Sequence, residues 1–307
     1  MTVTARRSPR PLCLGGSERM KRLADSLRAF IDSCTASVGS MDIRDLVALL
    51  TLAALFFISH TTTAVVFVAL VSVTSLLVTR VRRGPWIWLV TALFFAPGLL
   101  LNWHHQEDHT YLAVYWCLVL ALAFGGRRPL AVLRSNGRVL IGLVFAFAVM
   151  WKIITPAFVD GSLFHYKLLF DYRFRDAVTQ PIGRLSDVET QRNLESLGKL
   201  QAPTSCSSQA VMQYPETVSW LAHGLTWATI VMELALALTF LLRYRWFHRF
   251  RNSVLCLFML STYTLVPVLG FGMLFASLGI AQTRRREKGA RLAYLATALL
   301  ISVWFYR

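Results

Sequence analysis

The sequence predicts an all-α fold, a polytopic integral membrane bundle of about nine transmembrane helices with a partly helical outer loop. Three observations predict it. Hydrophobic residues make up 55% of the 307-residue chain and charged residues only 16%, with a mean hydropathy of +0.52. Soluble domains carry nearer a quarter charged residues. Uncharged apolar runs recur along the whole length. Of the 32 Lys and Arg, 24 fall into five clusters, before the first apolar run or between later ones. This is the pattern of loops retained on the cytoplasmic side of a membrane. The net charge of +16 is therefore read as a topology signal with some attraction to anionic lipid, not as a nucleic-acid footprint.

Residues 1–42 form a basic, cytoplasmic N-terminal segment without the apolar core of a signal peptide. Within it, "SERMKRLADSLRAFIDS" places Met20, Leu23, Leu27 and Phe30 on one helical stripe, as expected of a helix lying on a membrane surface. Residues 43–155 hold spans one to five. The uncharged run Leu46–Thr79 is too long for one helix across a core of about 30 Å, and the polar "SHTTT" (Ser59 to Thr63) divides it into a hairpin. Trp86–Leu101, Tyr111–Phe124 and a stretch from Val139 follow. Residues 156–222 form an extracytoplasmic, partly helical loop. There "SLFHYKLLFDYRFRD" is aromatic and amphipathic, suited to a membrane surface. "SDVETQRNLESLGKL" spaces Val188, Leu194 and Leu197 helically behind a Ser/Asp cap. These pieces either roof a cavity or form a structured loop with no ligand. Residues 223–307 hold four spans: Leu225–Leu242, a hairpin within Val254–Thr283, and Leu292–Tyr306. Every basic cluster then lies inside, in a multi-pass cell-membrane protein with a cytoplasmic N-terminus.

Lys152 and Glu233 interrupt spans that otherwise carry no charge near them. A charge inside a bilayer costs about 3 kcal/mol even on lenient scales. Lys152 either snorkels to the interface or acts as a desolvated base. Glu233 makes an interhelical hydrogen bond as the neutral acid, or pairs with Lys152. The segment Asn102 to His109, "NWHHQEDH", offers His104, His105 and His109 with Glu107 and Asp108. An exposed polar loop is its default, and no metal is expected. The five cysteines show no CxxC spacing, and no nucleophile elbow, phosphate loop or dinucleotide fingerprint is present.

Three segments together resemble the vitamin K-dependent gamma-carboxylase and its bacterial HTTM relatives. They are "DHTYLAVYWCLVLALA", "FAVMWKIITPAFVDGSLFHYKLLFDYRF" and "TIVMELALALTFLL", in matching order over about residues 40–280. The resemblance implies that Lys152 matches the family's catalytic base, which deprotonates reduced vitamin K so that oxygen can add, and that His109 matches a histidine assisting it. A menaquinol-like quinol is the implied cofactor. Glu233, Asn102, Trp103, Tyr111 and Trp151, within or beside these motifs, are the expected substrate-binding residues. A secreted peptide or membrane protein is the expected macromolecular partner. The chain departs from the family at Asp108, where Asn is usual, and at Phe158, where Trp is usual. On this resemblance the last span ends near Arg307, and the carboxylase's large lumenal domain is not expected. The residues alone also permit a non-catalytic component that binds or escorts a peptide or lipid.

Overall fold

The computed structural model describes residues 25–26, 28–29, 32–38, 40–101, 108–174, 178–201, 212–242, 244, 246–266 and 268–306. The chain divides into two units, Met1–Met41 and Asp42–Arg307. Residues 32–38 of the first are helical. The expected surface-helix positions Met20, Leu23, Leu27 and Phe30 lie outside the described residues, as do Asn102 and Trp103. The second unit is all-α, with no strand among its described residues.

In chain order its helices are α1 (Ile43–Ile58), α2 (Thr62–Leu77), α3 (Thr79–Arg82), α4 (Pro85–Leu101), α5 (Asp108–Gly125), α6 (Pro129–Ile154), α7 (Pro156–Val159), α8 (Ser162–Phe170), α9 (Tyr172–Phe174), α10 (Asp187–Gln201), α11 (Glu216–Leu241), α12 (Phe247–Leu265), α13 (Leu269–Gln282) and α14 (Lys288–Phe305). Each predicted span coincides with one helix. Three helices, α5, α6 and α11, are both long and apolar enough to cross a membrane, fewer than the nine predicted. At 1.5 Å per residue, the 26 residues of α6 and of α11 reach about 39 Å. The 14 residues of α13 reach only about 21 Å. Both long helices start earlier than their apolar runs, because Pro129 at the first turn of α6 and Pro215 before α11 set the starts, and polar residues extend the helices beyond the apolar stretch.

The short helix α13 forms the centre. Every residue from Leu274 to Gln282 is buried, as a helix apolar on all sides requires. It packs on α1, α6 and α14. Gly270 permits the contact with α1: a Cβ there would lie 2.7 Å from Ile58 Cγ1 and 3.2 Å from the Ile58 backbone nitrogen. Gly270→Val is expected to destabilise the bundle by about 1–3 kcal/mol, read as a lower thermal midpoint in detergent. Deeper in, Trp116 Nε1 of α5 donates to Thr51 Oγ1 of α1 at 3.0 Å and to Ser277 Oγ of α13 at 3.1 Å, and the two hydroxyls lie 2.9 Å apart. These bonds tie three helices at one buried point.

At the start of α1, Asp45 accepts from Arg83 Nη2 at 2.5 Å and pairs with Arg82 Nη2 at 3.1 Å. The Arg83 hydrogen bond, followed by Arg82, outweighs burial and holds the Asp45 carboxyl below its ordinary value. A depressed folded value stabilises fully above the unfolded value of about 3.9 and loses that effect as pH falls through the folded one. Thermal midpoints should therefore drop below about pH 4, and Asp45→Asn should flatten that part of the profile.

The segment between α6 and α11 builds its own small core. Leu168, Leu169, Phe174, Val178 and Leu185 pack with Val218 and Ala222 of α11. The predicted cap of α10 is present: Ser186 N–H donates to Glu189 Oε2 at 2.8 Å and Glu189 N–H to Ser186 Oγ at 3.3 Å. Its predicted apolar stripe is not what docks it. Val188 and Leu194 are exposed, whereas Asn193 is buried, donating to the Gln213 carbonyl and accepting from the Gln213 N–H. Two backbone groups satisfied by one amide fix α10 more specifically than loose apolar contact.

Candidate functional site

Helix α6 ends where Pro156 forbids its continuation, and the Thr155 N–H caps it by donating to the Trp151 carbonyl. Lys152 therefore occupies the last turn, where the helix dipole favours a cation. α6 and α11 run antiparallel in close contact: a Cβ at Gly142 would lie 2.6 Å from Leu241 Cγ. Ten residues forward on α6 and eight back on α11, Lys152 meets Glu233. Lys152 Nζ donates to both carboxylate oxygens at 2.5 Å, with the side chains 14% and 8% exposed. The turn after Pro156 carries Phe158 back over the pair, its ring centroid 5.1 Å from Nζ. Gly161, at φ +80°, makes the reversal into α8 in a conformation that L side chains rarely adopt.

The pair borders a cavity of about 880 Å³, within the range of small-molecule sites. Its aromatic wall comes from three helices. Phe145 of α6 stacks on Phe275 of α13 at 5.1 Å and meets Phe258 of α12 edge-on at 4.8 Å, and Phe271 stacks on Phe275 at 4.6 Å. The side near α5 is formed by Asp108, Tyr111, Leu112 and Tyr115. Lining residues that are also widely exposed, Tyr115 at 60%, Phe147 at 58% and Trp151 at 65%, all belong to α5 and α6. The mouth therefore lies between these two helices. All three helices able to cross a membrane contribute to the walls: α5 through Tyr111, α6 through Lys152 and α11 through Glu233.

Of the predicted site residues, the fold brings Lys152, Glu233, Tyr111 and Trp151 to one cavity. His109 is buried one ring away. It does not line the cavity but packs on Phe271, which does, at a centroid distance of 5.9 Å, and lies 6.4 Å from His60. Asn102, Trp103, His104, His105 and Glu107 fall outside the described residues. The segment after α6 contributes Phe158 to the lining, and among the described residues none of α8 or α10 lines the space. Sequence reading missed the phenylalanine wall, since Phe258, Phe271 and Phe275 sit on helices remote in sequence from Lys152. Tyr115 was within reach, one helical turn from Tyr111. Among the described residues no group of three or more His, Cys, Asp or Glu is placed to hold a metal.

The site combines a nearly dry ion pair with room for a ring-sized apolar guest. An amine locked to a carboxylate is not a free base. Chemically, the pair can still accept a proton from a guest hydroxyl. Whether Glu233 takes it directly, or Lys152 takes it after returning its own to Glu233, the result is the same: an ammonium, a neutral acid and a guest oxyanion. The base is thus the pair, with no assignment to one member. Net charge in the cavity is unchanged by the step, which low-dielectric surroundings favour. Comparison with protein-family models, with curated proteins and with solved structures found no match to this chain.

Proposed function

We propose that this chain is a multi-pass membrane enzyme of the gamma-carboxylase-like HTTM type, which uses a quinol and oxygen to modify a peptide or small substrate at the outer face. The reading takes the nine spans as membrane-crossing, with the N-terminus and basic clusters on the cytoplasmic side. The observation that carries it is the Lys152–Glu233 pair set against an aromatic cavity of about 880 Å³. A reduced vitamin K-like ring fits such a lining: its faces stack on Phe145, Phe271 and Phe275, and its hydroxyl reaches the pair. Lys152 and Glu233 together remove the hydroxyl proton. The Lys152 ammonium then stabilises the oxyanion, the form that oxygen oxidises. His109 acts through Phe271, keeping the ring wall in place. Tyr111 and Trp151 flank the guest.

Quinol-dependent oxygen uptake by the purified, membrane-inserted protein tests this. Wild type is expected to consume oxygen with a menaquinol analogue, and Lys152→Ala and Glu233→Gln to lose at least about a hundredfold of that rate. Lys152→Arg keeps the charge but cannot give up its proton, so uptake retained there assigns the proton to Glu233 and uptake lost assigns it to the lysine amine. Equal uptake by wild type and Lys152→Ala overturns the proposal. A wild type that binds quinol without consuming oxygen would instead be a component that escorts a lipid or peptide.

A further inference from the structure

The first turns of α12 and α14 hold a second concentration of buried charge. Arg251 of α12 is 4% exposed and Arg291 of α14 is 2% exposed. Arg251 Nη1 donates to His248 Nδ1 at 2.8 Å, and Arg291 Nη2 donates to the Arg285 carbonyl at 2.9 Å. The Nε atoms of both, and of Arg138 on α6, are sealed from solvent without a hydrogen-bond partner. Among the described residues, no carboxylate lies within 4.0 Å of Arg138, Arg251 or Arg291. The charges of Arg138 and Arg284 nevertheless act on Arg251, with the Glu287 carboxylate opposing them. Glu287, Arg291 and Tyr294 are spaced to share one face at the start of α14. That face is held against α12, where Tyr294 Oη donates to Asn252 Oδ1 at 3.0 Å. Gln282 of α13 donates to the same oxygen.

Arg138, Arg251 and Arg284 thus share one nearby carboxylate, Glu287, beside side-chain hydrogen bonds from α13 and α14 that meet on Asn252 of α12. Guanidiniums withdrawn from water without enough counter-charge are costly, and each planar fork matches two oxygens of a tetrahedral anion. We propose that these arginines, at the ends of α6, α12 and α14, form a pocket that binds the phosphate of an anionic phospholipid headgroup. A lipid is favoured over free phosphate by position. The pocket lies at the helix ends beside the exposed Arg284, Arg285 and Arg286, the end that the basic clusters assign to the cytoplasmic leaflet. Anionic headgroups concentrate there, and basic pockets between helices on that side hold them. The lipid would complete the charge balance of α12 and α14 without entering the cavity.

Native mass spectrometry of the purified full chain in a neutral detergent tests the pocket, with phosphatidylglycerol, phosphatidylcholine or inorganic phosphate added. Phosphatidylglycerol is expected to be retained about thirtyfold more than phosphatidylcholine, with a loss of about fivefold for each of Arg251→Gln and Arg291→Gln. Arg284→Gln, at an exposed position, gives the same direction of change should the buried variants fail to fold, and Arg192→Gln on α10 leaves the preference unaltered. Equal retention of the two lipids by wild type overturns the proposal. So does inorganic phosphate that displaces phosphatidylglycerol and stabilises the protein to the same extent, which would make the site one for a free anion.

Discussion

Removing either member of the Lys152–Glu233 pair is expected to destabilise the protein far more than removing both. Lys152→Met leaves a carboxylate 8% exposed with no counter-charge, and Glu233→Leu leaves an ammonium beneath Phe158. Breaking a buried pair in this way costs about 3–5 kcal/mol, because the remaining charge stays out of water. The double variant Lys152→Met, Glu233→Leu replaces both charges with apolar groups of similar length and is expected to regain most of that loss. Thermal midpoints of the four proteins in one detergent form the double-mutant cycle, with an expected coupling of about 2 kcal/mol or more. Independent, additive losses would mean that the two side chains do not meet in the protein. The double variant should also be inactive, which separates the pair's chemistry from its effect on stability.

The second large effect concerns space rather than charge. Ala148 lies one turn before Lys152 on the same face of α6 and lines the cavity. Ala148→Trp is expected to fill the region beneath the pair with an indole while leaving Lys152 and Glu233 in place. A guest that loses about 100 Å² of apolar burial binds about a hundredfold more weakly, at about 25 cal/mol per Å². Titration of a menaquinol analogue, followed by quenching of Trp151 fluorescence at the mouth in a Trp151→Phe-controlled series, reads this directly. Leu122→Phe, at a position 70% exposed on α5 and away from the lining, should bind the analogue as wild type does. Unchanged affinity in Ala148→Trp would place the quinol elsewhere.

The helices were legible in the sequence for a simple reason. Charge and hydropathy act locally, so "SHTTT" marks the break between α1 and α2, and Pro156 marks the end of α6. Helix ends were less legible where polar residues continue a helix past its apolar stretch, as Arg134 and Arg138 do in α6. Lys152 and Glu233 stood out because each is a charge where none is affordable alone. That they pair at 2.5 Å was not written locally: it depends on the antiparallel register set by Gly142 against Leu241. The phenylalanine wall was hidden for the opposite reason. Phe258, Phe271 and Phe275 look like any apolar residue of a span, and only tertiary packing distinguishes those facing a cavity from those facing a neighbour. On α10, Asn193 outranked Val188 and Leu194 because a buried amide that satisfies two backbone groups fixes position in a way periodicity cannot reveal.

The central claim is that a guest hydroxyl gives its proton to the Lys152–Glu233 pair and leaves Glu233 neutral. Infrared difference spectroscopy on addition of a hydroxynaphthoquinone that changes colour as it ionises, at a pH where the free compound is neutral, tests this most directly. The account predicts the colour of the bound anion together with a new protonated-carboxyl band that is absent in Glu233→Gln. A guest that binds in its neutral form, or one that ionises with no such band appearing, would contradict it.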